Sequence, residues 1–269
     1  MPEIPEMETY KIQLQRRILG KVMTSVQINR EKSVNLQVEP FTNQLISRSV
    51  TGITRYGKAL FFHLSSGHLL FLHLMLGGKL FWGSEDEAPD RTKQVILSFG
   101  IERLFFIGLR LGHLHLISEQ EYQNHIRDMG PDALSGNFDT EWFLKRLKSK
   151  RSPVKVALTD QKFLAGIGNR YSDEICFAAK CDPRKKAYVL TNQEGEQLLL
   201  SMRQVLKEAI QAGGYMDTPL YKGDQQTGGY IKLMKVHRRE GEPCPRCGTP
   251  IKMVEVSSKK TYFCPRCQQ

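Results

Sequence analysis

Four cysteines near the end of the chain constrain its fold more than any other feature. They are spaced Cys244-x2-Cys247 and Cys264-x2-Cys267, with 16 residues between the pairs. Two paired knuckles at that separation match a tetrahedral four-thiolate zinc site. So short a segment lacks the apolar surface for a core, and a metal would have to supply its folding energy. Residues 238–269 are therefore expected to form a zinc hairpin holding one structural zinc ion. That reading needs reduced thiols. Residues 1–20 carry Glu3, Glu6, Glu8, Lys11, Arg16 and Arg17 where a secretory signal would be apolar. A cytoplasmic location is expected, where thiols persist. Cys176 and Cys181 have no such partners and read as buried apolar side chains.

Upstream, the apolar pattern changes character once. Ile4, Met7, Tyr10, Leu14 and Ile18 recur at helical spacing and Gly20 stops the run, which predicts a helix over 2–19. Short apolar runs broken by turns fill 45–117, as expected of an antiparallel sandwich or barrel. Beyond Gly130-Pro131 the periodicity is helical. Its best segment is 192–212, where Thr191 and Glu194 have capping-box spacing and Gly213-Gly214 ends the run. Residues 214–231 are glycine-rich and polar with few apolar anchors, which predicts a mobile loop. The fold class is thus α+β. It comprises an N-terminal helix and β-sandwich over 1–130, a helical domain over 131–237, and the zinc hairpin. No apolar run is long enough to span a membrane, and a membrane partner is not expected.

The formal net charge is +11. Lys145, Arg146, Lys148, Lys150, Arg151 and Lys155 fall within one acid-free stretch, and Lys235, His237, Arg238 and Arg239 lead into the zinc module. Charge runs commonly only solvate a surface. Here they coincide with a helical pair and a zinc hairpin, which favours a nucleic-acid partner. Gly166-Ile167-Gly168-Asn169 opens a helix and offers free N–H groups to an anion, although a plain helix–helix turn explains it equally well.

The chain starts Met1-Pro2-Glu3-Ile4-Pro5-Glu6. Removal of Met1 leaves a secondary α-amine, partly neutral near pH 7 because its pKa is about 7.7–8. Such an amine can attack a sugar C1′ and form a Schiff base, with nearby Glu3 and Glu6 moving protons. These residues also suit an ordinary helix start.

Four motifs occur in one order: Pro-Glu-x-Pro-Glu, Arg55-Tyr56-Gly57-Lys58, Ala165 through Tyr171, and Gly241-Glu242-Pro243-Cys244 through Cys267. Together they resemble the formamidopyrimidine-DNA glycosylase and endonuclease VIII family over nearly the whole chain, closer to the first branch. The resemblance implies a bifunctional DNA glycosylase/AP lyase acting on double-stranded DNA with damaged bases or abasic sites, as a monomer. It implies catalytic roles for Pro2, Glu3, Glu6 and Lys58. It implies phosphate or lesion contacts for His73, Lys155 and Asn169. The region from Lys155 to Ala179 would be a helix-two-turn-helix clamping the duplex with the zinc hairpin. The 214–231 loop with Tyr230 would lie over an everted base.

The wedge departs from that pattern. In Ile107-Gly108-Leu109-Arg110-Leu111-Gly112, Leu109 stands where the family reads the orphaned cytosine with arginine, and Leu111 where it wedges with phenylalanine. Leu76 takes the place of methionine, and Lys259 that of the hairpin arginine. Apolar side chains can hold a base step open but donate no hydrogen bond to a base edge. Looser opposite-base selectivity follows, with oxidised pyrimidines as an alternative substrate. Two other readings compete: a non-catalytic or damage-sensing DNA-binding homologue, and an RNA-binding zinc-ribbon protein.

Overall fold

The computed structural model describes residues 1–269 and divides them into two compact units, 1–127 with 212–229, and 128–211 with 230–269. The first unit begins with α1 (Ile4–Ile18), whose Ile4, Met7, Tyr10, Leu14 and Ile18 are all fully buried. Pro5 sits in the first turn, where no backbone donor is lost, and Arg16 and Arg17 face the negative end of the helix dipole.

Then follow β1 (Ser25–Ile28), α2 (Val38–Leu45), β2 (Val50–Tyr56), β3 (Ala59–Leu64), β4 (Leu69–His73), β5 (Lys79–Gly83), β6 (Lys93–Phe99), β7 (Glu102–Ile107), β8 (His113–Ile117) and α3 (Glu119–Arg127). They make two antiparallel sheets, ordered β1-β6-β7-β5 and β2-β3-β4-β8. Strands β3, β6 and β7 are buried along most of their length on both faces, which is why their sequences are continuous apolar runs rather than alternating ones. This is the expected sandwich. β1, α2 and α3 were not legible: β1 is half-exposed, and α3 has no buried residue to mark a stripe.

The second unit holds α4 (Thr140–Lys148), α5 (Val154–Leu158), α6 (Asn169–Ala178) and α7 (Asn192–Gln211), followed by the hairpin of β9 (Lys252–Val256) and β10 (Lys259–Phe263). Asp139 caps α4 by accepting from Trp142 N–H at 2.8 Å. Thr191 and Glu194 exchange the two capping-box hydrogen bonds at 2.8 and 3.2 Å. Ser257 and Ser258 both have positive φ, as a two-residue hairpin turn requires. Phe177 of α6 packs in one cluster with Val236, Cys244, Ile251 and Cys264, so the zinc module shares its small core with a helix.

Residues 212–229 were expected to lie within the helical domain, but they pack with the first unit. The reason is polar tethering together with burial of the scattered Tyr215, Met216 and Leu220, which make no periodic stripe for hydropathy to reveal.

Candidate active site

The start of the first unit concentrates buried polar groups. Pro2 is buried, and Glu3 and Glu6 are 3% and 1% exposed. Glu6 Oε2 accepts the Glu3 N–H at 2.8 Å, one half of a capping box. Both carboxyl groups stand at a helix N-terminus, where the dipole and free N–H groups favour negative charge. The same Glu6 carboxylate accepts, through Oε1, the Tyr215 N–H at 2.9 Å. Glycines 213 and 214 both have positive φ, and their packing leaves no room for a side chain. A Cβ on Gly214 would lie 2.5 Å from Glu6 Oε1, and one on Gly213 would lie 1.7 Å from the Gln226 carbonyl oxygen.

Further contacts tie the loop of 212–229. Asp224 accepts from Leu220 N–H and Gln226 N–H at 2.9 Å each, from Thr227 N–H at 3.2 Å, and from the Thr227 hydroxyl. Gln13 of α1 donates to Thr227 Oγ1 at 3.1 Å. Trp82 N–H donates to the Leu220 carbonyl at 2.6 Å, and Arg17 lies 3.6 Å over the Tyr221 ring. In the structure the loop expected to be mobile is held by an aspartate hub, backbone groups and the buried Tyr215, Met216 and Leu220, too few to make an apolar stripe.

Lys58, on the tight turn between β2 and β3, is only 7% exposed and not the solvated turn lysine its sequence setting suggests. Arg55 fixes this turn, pairing with Glu8 of α1 at 2.7 Å and donating to the Gly57 carbonyl at 3.0 Å. His73 ends β4 opposite His113. Burial, then the charges of Lys58 and His125, lower its pKa to about 4, so it is a neutral imidazole at pH 7. His113 is likewise lowered to about 4, by burial and then by His115 and His73.

The two wedge loops meet through glycine. Gly108 has positive φ, and a Cβ there would come 2.3 Å from the Gly77 carbonyl oxygen. Leu76 and Leu111 are each 62% exposed and line, with Arg91, Gln94 and Arg110, a groove of about 630 Å³. Leu109 does not join them. Its side chain is fully buried, its N–H is held by Gln94 Oε1 at 3.0 Å, and its carbonyl accepts from Arg30. Its expected place against a base edge is therefore corrected to a core position. Leucine there gains more from burial than from water.

In the second unit, Lys155 is fully buried. Its ammonium pairs with Asp173 and donates to the carbonyls of Asn169 and Lys260 at 3.0 and 3.1 Å. Asp173 also meets His237 Nδ1 at 2.7 Å. The expected phosphate contact by Lys155 is corrected: a charge with all its donors used inside cannot also grip a phosphate. It joins α5, α6 and β10 instead. Glu174 binds the linker to the zinc module, accepting the N–H groups of Lys235, Val236 and His237 at 2.8, 3.0 and 2.9 Å. Burial still pushes its carboxyl above the usual range. Asn169, at the start of α6, donates to the Lys260 carbonyl at 3.0 Å. Tyr230 is buried on Tyr171, ring centres 5.6 Å apart, and belongs to the second unit, not to the loop as expected. Lys259 opens β10 just after the hairpin turn and is partly exposed.

The four cysteine sulfurs lie within 4.8 Å of one another. Cys244–Cys267 and Cys247–Cys264 are 3.9 and 3.5 Å apart. Four Zn–S bonds of ~2.3 Å in a tetrahedron require about 3.8 Å between sulfurs. Backbone N–H groups of Arg246 and Cys267 point at the Cys244 and Cys264 sulfurs. The donor set fits one structural zinc.

Comparison with known proteins agrees with this geometry along the whole chain. Residues 1–113 match the formamidopyrimidine-DNA glycosylase N-terminal domain, 129–218 its H2TH domain, and 241–269 the zinc finger found in FPG and IleRS. The chain belongs to the formamidopyrimidine-DNA glycosylase family. It is 34% identical to the formamidopyrimidine-DNA glycosylase of Desulforamulus reducens, over 100% of this chain and 99% of that one. A Lactococcus lactis FPG mutant bound to Fapy-dG-containing DNA superposes with a TM-score of 0.92 at 30% identity, over all of both chains. The Lactococcus lactis Fpg bound to abasic-site DNA gives 0.92 at 30%, over 99% of each. The N-terminal domain of this formamidopyrimidine-DNA glycosylase fold brings together Pro2, Glu3 and Glu6, and separately Lys58 and His73. The residues missed were Tyr215, Asp224, Asp173 and Glu174. No local signal marks them, because each acts through a partner distant in sequence.

Proposed function

We propose that Pro2, freed of Met1, is the nucleophile with which this chain removes oxidised bases from duplex DNA and then cleaves the strand. The family supplies the glycosylase and AP lyase activity. The observation supporting the residue assignment is the pair of buried carboxyl groups, Glu3 and Glu6, at the helix start that carries the amine.

The steps follow from those groups. The neutral amine nitrogen bonds to C1′, and the C1′–base bond breaks with its electron pair on the base, which takes a proton from water. Glu3 accepts the proton now on the amine. The nitrogen lone pair then expels O4′ from C1′, and Glu3 returns the proton to O4′, leaving an iminium ion. Loss of a C2′ proton expels the 3′-phosphate. The base and its bond to C1′ are shielded while the base is stacked, so the nucleotide must first be everted, at a cost of a few kcal/mol. Leu76 and Leu111 are the side chains placed to fill the gap, with Arg110 beside them. Lys58, His73, Asn169 and Lys259 serve as the phosphate-side contacts. The zinc ion, when bound, orders the hairpin carrying Lys259 and takes no part in the chemistry. No helix is long and apolar enough to cross a membrane. We place the protein in the cytoplasm as a monomer.

Borohydride trapping tests the assignment. Duplexes with an abasic site, 8-oxoguanine or an oxidised pyrimidine should give a covalent adduct that mass spectrometry maps to Pro2. An adduct at a lysine, or none with any duplex, would overturn it.

A further inference from the structure

The Tyr215 hydroxyl donates a hydrogen bond to the carbonyl oxygen of Met1. That carbonyl belongs to the peptide bond whose nitrogen is Pro2 N, so its oxygen lies only ~2.2 Å from that nitrogen. That hydrogen bond is lost when Met1 is cleaved, but it places the phenol next to the nitrogen that becomes the free amine. Tyr215 is 8% exposed and its own N–H is held by Glu6, which fixes the backbone that carries the phenol. Glu6 in turn holds the N–H of Glu3, the residue after the proline. One carboxylate therefore fixes both the backbone next to the amine and the backbone that carries the phenol.

Resting on the assignment of Pro2 as nucleophile, we infer that Tyr215 is a positioning residue that orients the Pro2 amine for attack. A neutral secondary amine has one N–H and one lone pair. A phenol oxygen can accept that N–H. With the N–H directed at Tyr215, the lone pair is left facing away from it, toward the everted sugar. As nitrogen becomes positive on bonding to C1′, the phenol oxygen keeps its partial negative charge beside it, an interaction stronger in the transition state than before it. The same contact favours the protonated amine of the resting protein and raises its pKa. Glu3, Glu6 and Tyr10 at α1, Asp217 with its partner Lys79, Asp224 on the loop, and Lys58 and His73 at the strand ends are the other titratable groups of this region. All are unchanged in a Tyr215→Phe variant.

The test uses the full chain with Met1 removed and a duplex carrying a preformed abasic site. Base excision is thereby bypassed. Tyr215→Phe should lower the plateau rate of borohydride-trapped adduct by about tenfold, the size of one hydrogen bond to a developing charge. It should also move the acid limb of the pH–rate curve to lower pH. Affinity for a duplex with a tetrahydrofuran abasic analogue, and the urea midpoint, should stay within twofold and within error respectively. Incorporating 3-fluorotyrosine at 215, which keeps the shape and weakens the acceptor, should shift the limb the same way by less. An unchanged abasic-site rate with slowed base excision would assign the phenol to the everted base and overturn the inference. A limb moving to higher pH would make the phenol a donor to the lone pair and also overturn it. A wild-type adduct that maps away from Pro2 would instead defeat the nucleophile assignment itself.

Discussion

The Glu6 carboxylate accepts the backbone N–H of Tyr215 at 2.9 Å while holding that of Glu3 at 2.8 Å. A glutamine in its place has one carbonyl oxygen and an NH2 that would face one of those donors. Glu6→Gln should destabilise the protein by about 2 kcal/mol, the cost of a buried donor left unmet. It should slow adduct formation even where the fold survives. Urea unfolding and single-turnover trapping measure the two effects.

Leu109 separates packing from recognition. Because its side chain is fully buried, Leu109→Arg should not create a cytosine reader. It should bury an unpaired charge and cost 3 kcal/mol or more, read as a large loss of urea midpoint. Excision opposite each of the four bases should stay within a few-fold in the wild type, since the exposed wedge is leucine at 76 and 111. Leu111→Ala should weaken binding to lesion duplex and leave stability within about 0.5 kcal/mol.

Lys155 and Lys259 should behave oppositely. Lys155→Met leaves Asp173 buried with one partner fewer and should cost about 3–5 kcal/mol. Lys259→Ala should leave stability unchanged and reduce the slope of log affinity against log salt by about 1. Unfolding curves and salt titrations of DNA binding distinguish them.

The two half-buried imidazoles set a pH dependence. His73 and His113 titrate near 4 in the folded chain and near 6.5 when unfolded. Between those values the unfolded state binds more protons, so stability rises with pH through the window and is complete above about 6.5. Replacing both with glutamine should flatten the urea midpoint between pH 4 and 6.5.

Zinc removal should act locally. Chelation should weaken DNA affinity by releasing the hairpin, while the near-ultraviolet signal of Trp82, in the sandwich, stays intact. Unchanged affinity would detach Lys259 from binding.

Features that depend on near neighbours were legible in the residues. The stripe of α1, the Thr191–Glu194 box and the four-cysteine cluster each sit within a short window or follow a fixed spacing. The misread residues depend on distance. Lys155 meets Asp173 18 residues away, and Tyr215 meets Glu6 209 away. Lys155 looks like one more member of a basic run until its acidic partner is found. Leu109 occupies a position that resemblance assigns to recognition, but an apolar side chain obeys burial. The 212–229 loop lacks hydropathic pattern because its order comes from Asp224, from paired glycines that admit no side chain, and from buried apolar residues too few to make a stripe.

The first unit is discontinuous, completed by residues 212–229 after the chain has made the whole of α4 to α7. During synthesis, α1 and the eight strands leave the ribosome with Glu6 still waiting for Tyr215. On the proposed mechanism, the backbone donor that meets Glu6 is made more than two hundred residues after the proline that would bear the amine. A fragment ending before Tyr215 would therefore carry Pro2, Glu3 and Glu6 without the donor that completes this end of the unit.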